Sequence, residues 1–173
     1  CKPFQHFVDT FEHLFHAKDL LPRDRFQITS DSKCVSVEGD DERSFLTTAS
    51  CNTQDIRQEV SWQDNGRAIT ALRFSKFGCL DSRNALSEGI MPTVVLCNRY
   101  DFNQHFDYFA DEGNSGGKFM WGSYCLEVNR DGEVVLKFCR KDENGRIVPE
   151  QRFGISPIRF TVDRIDDGDV VFT

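Results

Sequence analysis

The residues of this sequence best placed to do chemistry are its seven cysteines: Cys1, Cys34, Cys51, Cys79, Cys97, Cys125 and Cys139. None forms a C-x-x-C, so a zinc ribbon or a thioredoxin-type redox site has no support. Oxidation to disulfides is the chemistry that remains. Cys34 to Cys79 is 45 residues and Cys79 to Cys125 is 46, while Cys51 to Cys97 is 46 and Cys97 to Cys139 is 42. Two interleaved series share one period, which marks an internal repeat. Scattered thiols of a cytosolic protein would not keep such a period. The spacing suggests pairing within repeats: Cys34–Cys51, Cys79–Cys97 and Cys125–Cys139. Each bridge closes a loop of roughly 15–19 residues and contributes about 3 kcal/mol in the chain-entropy model. Such bridges need an oxidising compartment, so a secreted or extracellular protein is expected.

No catalytic constellation accompanies the cysteines, and the chain is not expected to be an enzyme. There is no Gly-rich phosphate loop, no H-E-x-x-H and no G-x-S-x-G. Asp40 and Asp41 are adjacent in a polar turn and suit a solvated face. His13-x-x-His16 has ligand-like spacing, but Asp9 and Glu12 stand four residues ahead, the pattern of helix-surface pairing. Asp163, Asp166, Asp167 and Asp169 do not fit a Ca²⁺ loop. No metal or cofactor is therefore expected. A formal net charge of −7 leaves no basic footprint for nucleic acid, heparin or an anionic membrane surface. No apolar run is long enough to span a bilayer, and no Asn-x-Ser/Thr sequon occurs.

The elements that must hold the cysteines follow from the surrounding text. The 173 residues, 39% of them hydrophobic and 16 of them Phe, suit one packed domain. The first unit contains KCVSVEGDDERSFLTTASCN and RQEVSWQDNGRAI; the second GCLDSRNALSEGIMPTVVLCN and NQHFDYFADEGN; the third YCLEVNRDGEVVLKFCR and EQRFGI. Each has a Cys with alternating neighbours, a turn, an apolar run ending in Cys, and a Gln leading an apolar or aromatic strand. Val134, Leu136 and Phe138 alternate with Val135, Lys137 and Cys139, the period of a strand. Asn65-Gly66, Asp131-Gly132, Asn144-Gly145 and Asp167-Gly168 punctuate the strands as turns. Four short strands per unit, three times over, predict an all-β, three-fold pseudosymmetric barrel with capping hairpins.

These units resemble the Q-x-W repeats of ricin-B-type (R-type) lectins. The Q-x-W places hold Gln58-Glu59-Val60, Gln104-His105-Phe106 and Gln151-Arg152-Phe153, with Val or Phe instead of Trp. The resemblance covers about residues 25–158 and implies a β-trefoil with three pseudo-repeats, about 23–69, 70–116 and 117–158, inside a domain of 23–173. It also implies a sugar site: a carboxylate after the first Cys, an aromatic platform two residues before the second, and an Asn beside the Gln. The second unit keeps most of the polar set in Asp81, Asn103 and Gln104. Its platform place holds Val95, for which Tyr100 or Phe102 would substitute from the next loop. The first unit offers Ser36, Ala49 and Arg57, and the third Glu127, Lys137 and Glu150. Galactose- or GalNAc-type glycans are the ligands the resemblance implies.

Residues 1–22 are expected to form an amphipathic helix and linker. Phe4, Phe7, Phe11 and Phe15, with Val8 and Leu14, fall on one face, to pack on the trefoil or dock an extracellular protein. The chain opens at Cys1, as if a signal or preceding domain had been removed. Cys1 is left unpaired, which fits a disulfide-linked oligomer, a contact within a longer parent protein, or simply the boundary of an excised segment. Residues 158–173 read as a closing hairpin. Three functions remain: a glycan-binding module, a degenerate trefoil that binds protein, and a trefoil signalling ligand or protease inhibitor. The fibroblast-growth-factor family lacks this cysteine register, and Kunitz-type soybean inhibitors normally have fewer bridges.

Overall fold

The computed structural model describes residues 25–39, 44–64, 70–111 and 116–158. The expected N-terminal helix with its Phe stripe, Cys1, the His13/His16 pair, the Asn65-Gly66 turn and the closing hairpin beyond residue 158 lie outside the described residues.

Among the described residues, twelve strands fall into three runs of four. The first run is β1 (Phe26–Ser30), β2 (Lys33–Glu38), β3 (Ser44–Ser50) and β4 (Val60–Asp64). The second is β5 (Thr70–Phe74), β6 (Gly78–Asp81), β7 (Thr93–Val95) and β8 (Asp107–Ala110). The third is β9 (Gly117–Trp121), β10 (Tyr124–Val128), β11 (Val134–Phe138) and β12 (Gly154–Pro157). The outer strands of each run build a barrel wall. β1 pairs with β12 at Ile28↔Ile155 and meets β4 at Phe26↔Val60. β4 pairs with β5, β8 with β9, and Gly117 bridges Phe153 just ahead of β12. The inner strands form the hairpins β2–β3, β6–β7 and β10–β11. Each hairpin touches the other two, at Phe45↔Thr93, Thr47↔Glu133 and Ile90↔Leu136. This is a β-trefoil: a barrel capped by a triangle of hairpins.

Alternation drives the burial. Leu46, Val94 and Leu136, one from the second strand of each hairpin, face a single core with Phe26, Leu72, Phe74, Leu80 and Phe119. Val60, Phe106 and Phe153, the places of the family's Trp, are each 0% exposed. Burying such side chains contributes about 1.5–3 kcal/mol apiece, so Phe and Val serve where Trp is absent. β11 departs from strict alternation: Val135 is buried along with Val134 and Leu136, while Phe138 emerges at the strand's end. The bonds Cys34–Cys51, Cys79–Cys97 and Cys125–Cys139 tie each hairpin's first strand to the chain leaving its second. They place the protein in an oxidising environment.

Gly78 is required by space as well as by backbone angle. Gly78 has φ 127°, and a Cβ there would lie 2.0 Å from the Val95 carbonyl oxygen. Gly122 also has positive φ, 57°, but nothing lies within 4 Å. Gly78→Ala should therefore destabilise well beyond the roughly 1–2 kcal/mol expected from the backbone angle alone in Gly122→Ala; urea unfolding of the two variants checks the order. Tyr108 supplies a second test. Burial pushes its phenol from 10.0 up to about 12, and its hydroxyl donates to the Phe153 carbonyl at 3.3 Å. The folded state holds this proton more tightly than the unfolded chain does. The resulting stability is present below the unfolded value and is lost as pH rises through the folded one. An ultraviolet titration should show one phenol ionising near 12, and Tyr108→Phe should remove that step.

Candidate functional site

Each unit carries a buried glutamine at the end of a single 3-10 turn. Gln58 ends Ile56–Gln58, Gln104 ends Phe102–Gln104 and Gln151 ends Pro149–Gln151, with exposures of 1%, 2% and 0%. The three amides make the same bonds. Each Oε1 accepts from the backbone N–H just after the second Cys: Asn52 at 2.9 Å, Asn98 at 2.8 Å and Arg140 at 2.9 Å. Each Nε2 donates to the carbonyl just before that Cys: Ser50 at 2.9 Å, Leu96 at 3.1 Å and Phe138 at 2.9 Å. One side chain thus clamps the backbone on both sides of a disulfide. Losing a clamp would strand buried polar groups at about 1–3 kcal/mol each.

The turn ahead of the clamp is encoded locally. Asn52 and Asn98 accept from Gln54 and Tyr100 N–H through their own side chains. Asp55 and Asp101 then cap the 3-10 turn by accepting from Arg57 and Asn103 N–H at 3.0 Å. The pattern C-N-x-x-D-x-x-Q runs from Cys51 to Gln58 and again from Cys97 to Gln104. Sequence reasoning that stops at the Gln misses these Asn and Asp residues, and the repeated octapeptide is the signal for them. The third unit replaces them with Pro149 at the first turn position. There a longer turn is held by Asp142, which accepts from Asn144 and Arg146 N–H and so sits below the usual carboxylate range.

The carboxylate places close onto the same glutamines. Asp81 Oδ2 accepts from Gln104 Nε2 at 3.3 Å, and Glu127 Oε2 from Gln151 Nε2 at 3.0 Å. The first unit has Ser36, and a second amide compensates: Gln27 Nε2 donates to Gln58 Oε1 and to the Asn52 carbonyl. The two carboxylates differ in company. Glu127 is neutralised by Arg140 at 2.6 Å and faces Lys137 at 3.8 Å, so the expected platform place of the third unit belongs to an ion pair. Asp81 is held by neutral donors, Gln104 and the Arg83 N–H at 2.7 Å.

The structure brings Asp81, Asn103 and Gln104 together around Ser82, which is fully buried. Ser82 N–H donates to the Asn103 carbonyl at 2.8 Å and its hydroxyl to Asn103 Oδ1 at 3.3 Å. Asp81 is 9% exposed, so only a small part of its surface is open to a ligand. Tyr100 sits in the preceding turn, 68% exposed, with the Arg99 guanidinium 4.8 Å from its ring centre and bonded to its hydroxyl. Phe102 is 74% exposed; its ring meets His105 edge-on, and its carbonyl accepts from Trp121 Nε1. Among the described residues no group of three or more His, Cys, Asp or Glu side chains could hold a metal.

No protein-family model matches the sequence, and no curated protein matches it. Solved structures do. The designed three-fold symmetric protein ThreeFoil superposes with a TM-score of 0.61 at 17% identity, over 76% of this chain and 97% of that one. The Macrolepiota procera ricin B-like lectin, in complex with lactose, gives 0.58 at 15% identity, over 76% of this chain and 94% of that one. The Polyporus squamosus lectin bound to Neu5Aca2-6Galb1-4GlcNAc gives 0.59 at 12%, over 76% of this chain and 48% of that one. Identities this low speak to fold alone. The protein is a β-trefoil similar in structure to ricin-B-like lectins.

Proposed function

We propose that this chain is an extracellular recognition module, without catalysis of its own, that binds galactose- or GalNAc-type glycans through its second unit. One observation carries the reading: among the described residues, the second unit alone keeps a carboxylate with no cation on it beside an Asn and a solvent-facing aromatic loop. Asp81 accepts from neutral donors, Asn103 is bonded to Ser82, the residue after Asp81 in sequence, and Tyr100 and Phe102 are exposed in the turn before Asn103. A carboxylate and an amide can order sugar hydroxyls, and an aromatic face can take the apolar side of a pyranose. In the third unit Arg140 occupies the equivalent carboxylate, and in the first there is none.

A second reading, binding of an extracellular protein, has its own support. The second unit exposes Leu86 at 86% and Leu96 at 89%, together with Tyr100 and Phe102. Exposed large apolar side chains gathered in one unit are a common feature of protein contact surfaces.

A glycan array separates the two. The oxidised protein should bind galactose-terminated glycans, and Asp81→Asn and Asn103→Ala should each weaken binding about tenfold or more, as expected for losing a hydrogen bond to a charged or buried partner. Glu127→Gln should leave the array pattern unchanged. An empty array from folded, oxidised protein would overturn the glycan reading. Capture of an extracellular protein that Leu96→Ser abolishes would then assign the surface to protein contact.

A further inference from the structure

A ladder of three aromatic rings crosses the third unit, and the function proposed above does not use it. Trp121, Tyr124 and Phe138 lie directly opposite one another on β9, β10 and β11. Trp121 and Tyr124 stack with centroids 6.3 Å apart and planes at 26°; Tyr124 and Phe138 stack at 4.8 Å and 16°. The Trp121 indole N–H, bonded to the Phe102 carbonyl at 2.8 Å, fixes the far end. Phe138 ends the ladder, with one face on Tyr124 and 49% of its surface exposed. A ring held this way offers a flat apolar surface at little further cost in conformational entropy.

A carboxylate is fixed beside that ring. The Phe138 backbone N–H donates to Glu88 Oε1 at 2.8 Å. Glu88 arrives from the second unit, on a segment held against β11 by Gly89 N–H to the Leu136 carbonyl at 2.7 Å and Leu136 N–H to the Ile90 carbonyl at 2.8 Å. Among the described residues no cation pairs with Glu88 and no donor reaches its Oε2.

We infer that this seam between the second and third units is a second saccharide seat, with Phe138 as the platform and Glu88 Oε2 as the acceptor for a ring hydroxyl. The inference shares with the proposed function only the class of ligand. A wholly apolar partner would bury Glu88 uncompensated. An arginine from a protein is best met by both oxygens of a carboxylate, and Oε1 is already taken by the backbone. A pyranose, with one apolar face and hydroxyl donors at its edge, suits a single free oxygen beside a ring. The pair differs from the site implied by the cysteine repeats: the ring stands one residue before Cys139, and the carboxylate comes from another unit.

The test is a titration of isotope-labelled, oxidised protein with lactose and separately with GalNAc, followed by amide NMR. The expected result is saturable shifts at Gly89 and Phe138. Phe138→Ala and Glu88→Gln should weaken them about tenfold, and Phe138→Tyr should preserve them. Glu88→Gln keeps the oxygen that accepts from Phe138 N–H, so it guards against a folding defect in the Ala variant. Asp81→Asn should leave the seam's response intact. Shifts confined to Asn103 and Gln104 would overturn the seam while the second-unit site stood. Shifts at the seam alone would uphold it and remove the second-unit site. No shift with either sugar, or a response at the seam to an arginine-containing peptide instead, would overturn this inference.

Discussion

Three buried glutamine amides, one per unit, are the constraint on which the surface of this trefoil depends. Each ties together the two backbone segments that flank a half-cystine, and each immediately precedes a residue pair ending in a fully buried core side chain, Val60, Phe106 or Phe153. The clamp therefore sits between the core and the loop that follows the second Cys of each unit. The disulfide limits the unfolded chain, whereas the amide sets the direction in which the loop leaves the barrel. A buried amide that satisfies both its donor and its acceptor sides is stabilising, and one left half-satisfied is costly. Such a group imposes one loop geometry.

Around this common clamp the units have diverged in electrostatics more than in shape. The first completes its amide network with another amide, Gln27. The third completes it with Glu127, then cancels the charge with Arg140 and Lys137. The second completes it with Asp81 alone, leaving charge where the loop also presents Tyr100 and Phe102. Three-fold architecture with one-fold chemistry is the expected consequence of a fold in which only the clamp and core are needed for stability. The remaining positions are then free to specialise or to lose function.

The cysteine period made the repeat legible because each bond sets a fixed offset along the chain, and the Q-x-Val/Phe places made the clamp positions legible even without Trp. Aliphatic or aromatic bulk at Val60, Phe106 and Phe153 is what the core asks for, not indole chemistry. Less was legible where partners come from distant strands. Gln27 lies on β1, 31 residues from the amide it meets, and nothing near it in sequence marks the encounter. The ladder of Trp121, Tyr124 and Phe138 depends on strand register, which local alternation does not set. Lys137 stood at the expected platform place, but the aromatic surface is one residue further on, across the strand from it. The burial of Asp81 was hidden for the same reason: Gln104 reaches it, and Asn103 bonds the neighbouring Ser82, only once the hairpin and the 3-10 turn meet.

Native-state hydrogen exchange of three amides tests the clamp most directly. Asn52, Asn98 and Arg140 lie outside the strands, and each donates its N–H to a glutamine Oε1. If the clamps organise the loops, all three should exchange only through large-scale opening, as slowly as core strand amides such as Leu126, and Gln104→Met should release Asn98 alone. Fast exchange of these amides in the oxidised wild-type protein, at the rate of their loop neighbours, would contradict the account.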